Sequence, residues 1–450
     1  MSSGRLSHLV VIFFLASFTI FFVGYGESFR YSEKDYSIVF TGLIALITLS
    51  RVFLLREPVF SLYSLFFYTY TLFIGGSFFA NVMTGLPIFC RDIYGYMCLS
   101  NQEAFTSFFY ALLFILSIEF GYSLSKEHIE LKFDFDDKEF SPYLFYFLIF
   151  SVFLTGPFLI FDTVSAVQKS FSEGYLSAYK NSQTSGHETP LNLILNMLLV
   201  VSLALSYVSI KQYKWIFILL LVFFTFNSFI SFFSGSRAAF ISAILMLIWF
   251  KYRLNTSRRA LIYLVGMIFV IIYALNSMMA LTARGGVIEA NATDLFSYFL
   301  HSQGVTFMVF SLSTTIDTYP PIAYAKTFLP GLPTFLSMFG EQFQPHMAGF
   351  AQHLSWSLDE ELYSEGYGLG WSFLSDIYVY SGGGIIGFVF LSVTAGVVFS
   401  KSNSSNPMIS GLVVSILPNI FLLNRASISA TVPIVLAYFI LFFLFLRNKK

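Results

Sequence analysis

The chain has 450 residues, of which 56% are hydrophobic, 20% aromatic and 11% charged, with a formal net charge of zero. So few charges cannot cover the surface of a soluble fold of this length, whereas a fold solvated by lipid needs polar groups only at its rims. A neutral chain without a long basic stretch also lacks the electrostatic footprint of a nucleic-acid-binding protein.

Crossing the hydrocarbon core takes about 20 apolar residues per helix. On that basis spans are expected at 8–24, 37–55, 59–80, 104–122, 143–161 and 191–210, then at 215–233, 236–250, 260–281, 384–400, 407–423 and 428–446. The expected fold class is therefore an all-α polytopic membrane protein, one integral membrane domain over residues 1–450, with about 12 transmembrane helices. Trp215–Phe250 is one long apolar run with Gly235, Ser236 and Arg237 near its middle. It is too long for one crossing and slightly short for two, so a tight hairpin with a sunken turn is expected there. The first run is followed by no A-x-A-like cleavage site and reads as a retained span.

Lys and Arg concentrate in cytoplasmic loops. With the N-terminus inside, 16 of the 25 basic residues fall on the cytoplasmic side and nine opposite, so both termini are expected to be cytoplasmic. Cys90 and Cys98 then share one external loop, either as a disulfide or as two free thiols. They are the only cysteines, and no His/Cys spacing completes a zinc site. Asp134, Asp136 and Asp137 form a D-x-D-D pattern in a cytoplasmic loop, flanked by Lys132 and Lys138, and read as a solvated, self-neutralising stretch.

The longest hydrophilic excursion, 282–370, is expected to be a large extracytoplasmic loop. It is rich in Phe, Tyr and Leu and can bury apolar area, so it reads as a small folded cap. It holds His301, His346 and His353 and the acidic cluster Asp359, Glu360, Glu361 and Glu365. Pro345 and Gly349 argue against one unbroken helix carrying both His346 and His353. His301 and Gln303, two apart, would project to different sides of a helix, so at most one faces a given ligand.

Three arginines lie where external loops meet helix ends: Arg237 in Ser-Gly-Ser-Arg, Arg284 in Ala-Arg-Gly-Gly and Arg425 in Asn-Arg-Ala-Ser. An Arg at membrane depth is usually kept to bind something or to pair with a carboxylate, and its fork of donors matches phosphate oxygens. Small neighbours let backbone N–H groups approach the same anion. An anion pocket is the expected result, the alternative being contacts with lipid phosphates or external carboxylates. Gly382, Gly384 and Gly387 match G-x-G-x-x-G, but no strand precedes them, and they read instead as a break between an interfacial helix at 371–380 and the next span.

With many spans, one large external loop in the second half and arginines at external helix ends, the chain resembles the O-antigen polysaccharide polymerase (Wzy) family. The motifs that carry the resemblance are Ser234-Gly-Ser-Arg237-Ala, Ala283-Arg-Gly-Gly286, His301-Ser-Gln-Gly304 and Gly366-Tyr-Gly-Leu-Gly370. The last leads into Ser372-Phe-Leu-Ser-Asp376-Ile-Tyr378, where Asp376 stands in place of the Glu expected in the family.

The resemblance implies a bacterial inner-membrane glycosyltransferase that polymerises undecaprenyl diphosphate-linked oligosaccharides into O-antigen on the periplasmic face, with a chain-length regulator protein as a further partner. Arg237 and Arg284 are the expected catalytic residues. Arg425, Gln303, His301, Tyr367 and Asp376 are the expected substrate contacts. No metal and no cofactor are expected, because the arginines take the leaving group's charge. An O-antigen ligase and a lipid-linked oligosaccharide flippase or other transporter are the alternatives. A transporter usually leaves charged residues near mid-membrane, whereas Glu119 lies near a helix end.

Overall fold

The computed structural model describes residues 3–26, 31–93, 95–125, 140–174, 190–234, 237–253, 291–329, 331–337, 344–402 and 406–446, with a few isolated positions besides. It is a helical bundle. The first half contains α1 (Ser3–Gly26), α2 (Glu33–Ser50), α3 (Leu62–Phe73), α4 (Gly76–Thr84), a hairpin of β1 (Cys90–Asp92) and β2 (Tyr96–Cys98), α5 (Asn101–Ser125), α6 (Tyr143–Glu173), α7 (Pro190–Val208), α8 (Ile210–Phe233) and α9 (Arg237–Tyr252). The second half adds α10 (Ala292–Gln303), α11 (Val305–Ser313), α12 (Pro321–Phe328), α13 (Leu332–Ser337), α14 (Phe350–Leu358), α15 (Glu360–Ser364), α16 (Phe373–Tyr380), α17 (Ile385–Lys401), α18 (Pro407–Ile420) and α19 (Val432–Phe445).

Among the described residues, eight helices are long and apolar enough to cross a membrane, or nine if the bent pair α3–α4 is one span. Ala238–Tyr252 and Ile385–Lys401 are shorter apolar helices. The fold class is as the composition requires, but a count of twelve is not reproduced. Most of the span expected at 260–281 lies outside the described residues, and two of the other expected spans fold as the shorter helices.

The long run around Ser234 does form a hairpin: α8 ends at Phe233 and α9 begins at Arg237, with Phe229 and Phe232 packed on Phe240. The break expected before α17 is also present. There Gly382 and Gly383 take φ of 62° and 71°, a left-handed backbone that favours glycine. The Cys90–Cys98 question resolves to a disulfide, which closes the two-stranded hairpin.

Local chemistry explains several helix boundaries. Ser32 and Asp35 form a reciprocal capping box that starts α2. α5 and α17 run side by side with their backbones in contact: a Cβ on Gly121 would fall 2.1 Å from the Val393 carbonyl oxygen, and one on Gly396 2.1 Å from that of Ile118. Between apolar helices in lipid, such close approach replaces the hydrophobic driving force.

One end of the bundle holds a buried ionic cluster that the sequence reading did not find. Arg51 donates to Glu119 Oε1 at 2.6 Å and to Ser64 Oγ at 3.0 Å, and its guanidinium lies 4.3 Å from the Tyr63 ring centroid. His8 Nε2 is 3.4 Å from the second Glu119 oxygen, and Tyr122 donates to Glu57. Arg5 donates to the Ser123 carbonyl at this same end, where α1 begins and α5 finishes.

Candidate functional site

At the other end the bundle is interrupted, and the interruptions lie against one another. α3 and α4 meet at a 52° bend. α10 breaks into α11 at Gly304, whose carbonyl accepts from Ser77 Oγ at 2.7 Å. The two breaks touch backbone to backbone: a Cβ on Gly76 would fall 2.4 Å from the Leu300 carbonyl oxygen, and one on Gly304 2.1 Å from the Ser77 nitrogen. α18 and α19 are joined by short 3-10 turns at Leu423–Arg425 and Ile428–Ala430.

The breaks lie deep in the bundle. α5 has 25 residues, roughly 37 Å at 1.5 Å each. Phe373, the first residue of α16, packs edge-on against Phe114 near the middle of α5 and against Phe66 in α3. Asn424 donates to the Phe66 carbonyl and to Thr69 Oγ1, both at 3.0 Å, which anchors the α18–α19 turn at a similar depth.

Arg425 projects from that turn. It is exposed, donates to Gln303 Oε1 at 2.8 Å and lies 5.8 Å from the Phe73 ring centroid. The structure thus joins two of the expected substrate contacts, one at the end of α10 and one 122 positions later.

Asp376 is the third. It was expected to meet substrate, yet its side chain is 1% exposed and engaged on three sides. Trp371 Nε1 donates to it at 2.8 Å, Ser427 Oγ at 3.1 Å and the Ile428 backbone N–H at 2.6 Å. Burial pushes its carboxyl up to about 7, against the pull of these three donors. Its geometric effect is to fasten the turn that follows Arg425.

His301 takes a different neighbour from Gln303, as their spacing requires: its Nε2 lies 2.8 Å from the Pro87 carbonyl oxygen. A carbonyl only accepts, so Nε2 carries the proton and, in the neutral ring, Nδ1 holds the lone pair. Burial, and then the nearby Arg91 charge, hold the imidazole below its ordinary range and so neutral near pH 7.

Arg237 is the first residue of α9, Arg284 lies outside the described residues, and Tyr367 stands exposed after α15. Among the described residues no group of three or more His, Cys, Asp and Glu side chains is placed to hold a metal ion. His346 and His353 occupy separate helical segments, as Pro345 and Gly349 suggested. His346 stacks on Trp356 at 4.0 Å, within an aromatic cap whose buried members include Tyr319, Phe350 and Trp371.

A family model for O-antigen polysaccharide polymerase Wzy matches residues 8–449, nearly the whole chain. The chain belongs to the Wzy family. No curated protein and no solved structure matches it. Within this Wzy protein, sequence reasoning singled out Gln303, Arg425 and Asp376 but passed over Arg91 and Ser77, which pack under the same break. Arg91 is one of the nine basic residues counted opposite the cytoplasmic side, and nothing in its neighbours' identities signals that it is buried.

Proposed function

We propose that this Wzy protein polymerises undecaprenyl diphosphate-linked oligosaccharide repeat units into O-antigen on the periplasmic face of the inner membrane, with both termini cytoplasmic. The family match over nearly the whole chain supports the reaction class. The observation that carries the site is the exposed Arg425 residue, its guanidinium held by Gln303 beside helix breaks partway through the bundle. In this reading a lipid diphosphate binds there with its polyprenyl tail along the apolar helices and its charge at the guanidinium.

In the reaction, the acceptor sugar's hydroxyl oxygen bonds to the anomeric carbon at the reducing end of the growing chain. The carbon–oxygen bond to the diphosphate breaks, the lipid diphosphate leaves with the bonding pair, and the hydroxyl proton passes to a base. Arg425, with Arg237 and Arg284, stabilises the charge that develops on the leaving group, which is the electrostatic task best performed by preorganised donors. Gln303 holds Arg425 in place, and Asp376 holds the turn. His301, neutral with Nδ1 unprotonated, is in the state to accept the proton.

The test is extension of a purified lipid-linked repeat by the purified protein. Arg425→Ala, Arg237→Ala and Arg284→Ala should each lower polymer formation roughly 100-fold to 1,000-fold while the protein remains in the membrane. Turnover should be unchanged by chelator. Full-length polymer from all three variants at normal protein levels overturns the anion-pocket reading. A deletion strain separates polymerase from flippase: single repeat units on the finished surface lipid support the polymerase, and their absence supports a flippase.

A further inference from the structure

We infer that Arg91, delivered by the disulfide-closed hairpin, is a positioning residue that sets Gln303 against Arg425. The inference rests on the proposal that these two side chains receive the diphosphate, and adds a part of the site supplied by a segment 200 residues away in sequence.

Arg91 is 7% exposed. Its Nη1 donates to the His301 carbonyl at 2.6 Å and its Nη2 to Ser77 Oγ at 2.6 Å. Ser77 Oγ in turn donates to the Gly304 carbonyl. Arg91 therefore meets the carbonyl end of α10 on both sides of Gln303, directly at 301 and through Ser77 at 304. A helix carries partial negative charge at this end, so a cation there is favoured. A guanidinium is also the one side chain that reaches two acceptors in a fixed fork. With α10 fixed at 301 and 304, the backbone of Gln303 is set between them, and from there its side chain meets Arg425.

The charge arrangement supports positioning over simple structural pairing. Among the described residues no carboxylate lies within salt-bridge distance of Arg91, and its Nε has no hydrogen-bond partner. Glu33, the nearest acidic influence on it, is occupied by the backbone N–H groups of Ile88 and Phe89. Burying a cation without a counter-charge is costly, and this cost is borne next to the Gln303–Arg425 pair. The hairpin limits the movement of Arg91: Cys90 and Cys98 face each other in register and are bonded, with Arg91 opposite Met97. Glu33 fixes the strand's approach through the two N–H groups just before Cys90.

The experiment uses the purified, vesicle-reconstituted protein with a lipid-linked repeat and measures kcat and KM. Arg91→Ala should lower kcat/KM about 10-fold to 100-fold, the scale of a misplaced catalytic group, and Arg91→Lys should restore it only in part. The Arg91→Ala/Gln303→Ala double variant should be no worse than the poorer single variant, because both remove the same positioned amide. Fully multiplicative losses overturn the inference, as does full activity in Arg91→Ala.

If Arg91→Ala does not accumulate, dithiothreitol applied to the folded wild-type protein gives the same information. Severalfold loss, reversed on reoxidation and absent as a further loss in Cys90→Ser/Cys98→Ser, supports the tether, and reductant-insensitive activity overturns it. Arg425→Ala and Gln303→Ala distinguish the two levels. If both are fully active, the diphosphate site itself is wrong and the inference falls with it. If both are inactive while Arg91→Ala is fully active, the inference alone fails.

Discussion

Two buried arginines at opposite ends of the bundle face different partners. Arg51, 3% exposed, bonds to the Glu119 carboxylate, with His8 on that carboxylate's other oxygen. Arg91, 7% exposed, bonds to a carbonyl and a hydroxyl and has no carboxylate within salt-bridge distance among the described residues. The first is an internally neutralised contact that holds α1, α2 and α5 together. The second keeps a positive charge beside the end of α10 from which Gln303 meets Arg425. The two arginines are alike in burial and differ in what each charge is paired with.

The largest effect that tests this contrast is at the neutralised end. Glu119→Ala strands Arg51 and should cost about 3–5 kcal/mol, read as lost protein in the membrane or a lower Tm in detergent. Replacing both partners together, Arg51→Met with Glu119→Leu, should cost much less. If Glu119→Ala instead gave stable, inactive protein, the assignment of the two ends would be broken.

A smaller effect is expected at Asp376. Asp376→Asn leaves one of its three donors facing an amide N–H, at about 1–3 kcal/mol. The sign of its pH dependence follows from burial. The folded carboxyl holds its proton up to about 7, whereas the unfolded chain releases it near 3.9. Between about 4 and about 7 the folded state binds more protons, so stability falls as pH rises through that window and levels off above it. Tm measured against pH should show this slope in the wild type and lose it in Asp376→Asn.

The smallest effect sets the lower end of the scale. Lys169 and Glu173 form a solvent-facing pair at 3.8 Å on α6. Lys169→Ala should change Tm by less than the equivalent of about 0.5 kcal/mol.

Much of the bundle was legible because hydropathy acts along the chain. The spans, the α8–α9 hairpin and the glycine break before α17 all follow from residues adjacent in sequence. What was not legible depends on distance. Glu119 was noted near a helix end, but its partner Arg51 is 68 positions earlier. Arg91 meets the His301 carbonyl 210 positions later. The α3–α4 bend lies inside a run that reads as one continuous span, and the neighbours that need its two glycines are distant in sequence, Phe40 against Gly75 and Leu300 against Gly76. The motif around Asp376 identified the right residue, but not the three donors that bury it, two of which lie more than 50 positions away.

The Gly76–Gly304 contact also restricts how the sequence can drift. Where two side chains touch, a larger residue on one side is commonly offset by a smaller one on the other. Here neither residue has a side chain to reduce, and the facing atoms are main chain apart from Ser77 Oγ. A methyl group gained at either position has no compensating exchange at the other, so the two sites can change only if the helices themselves move apart.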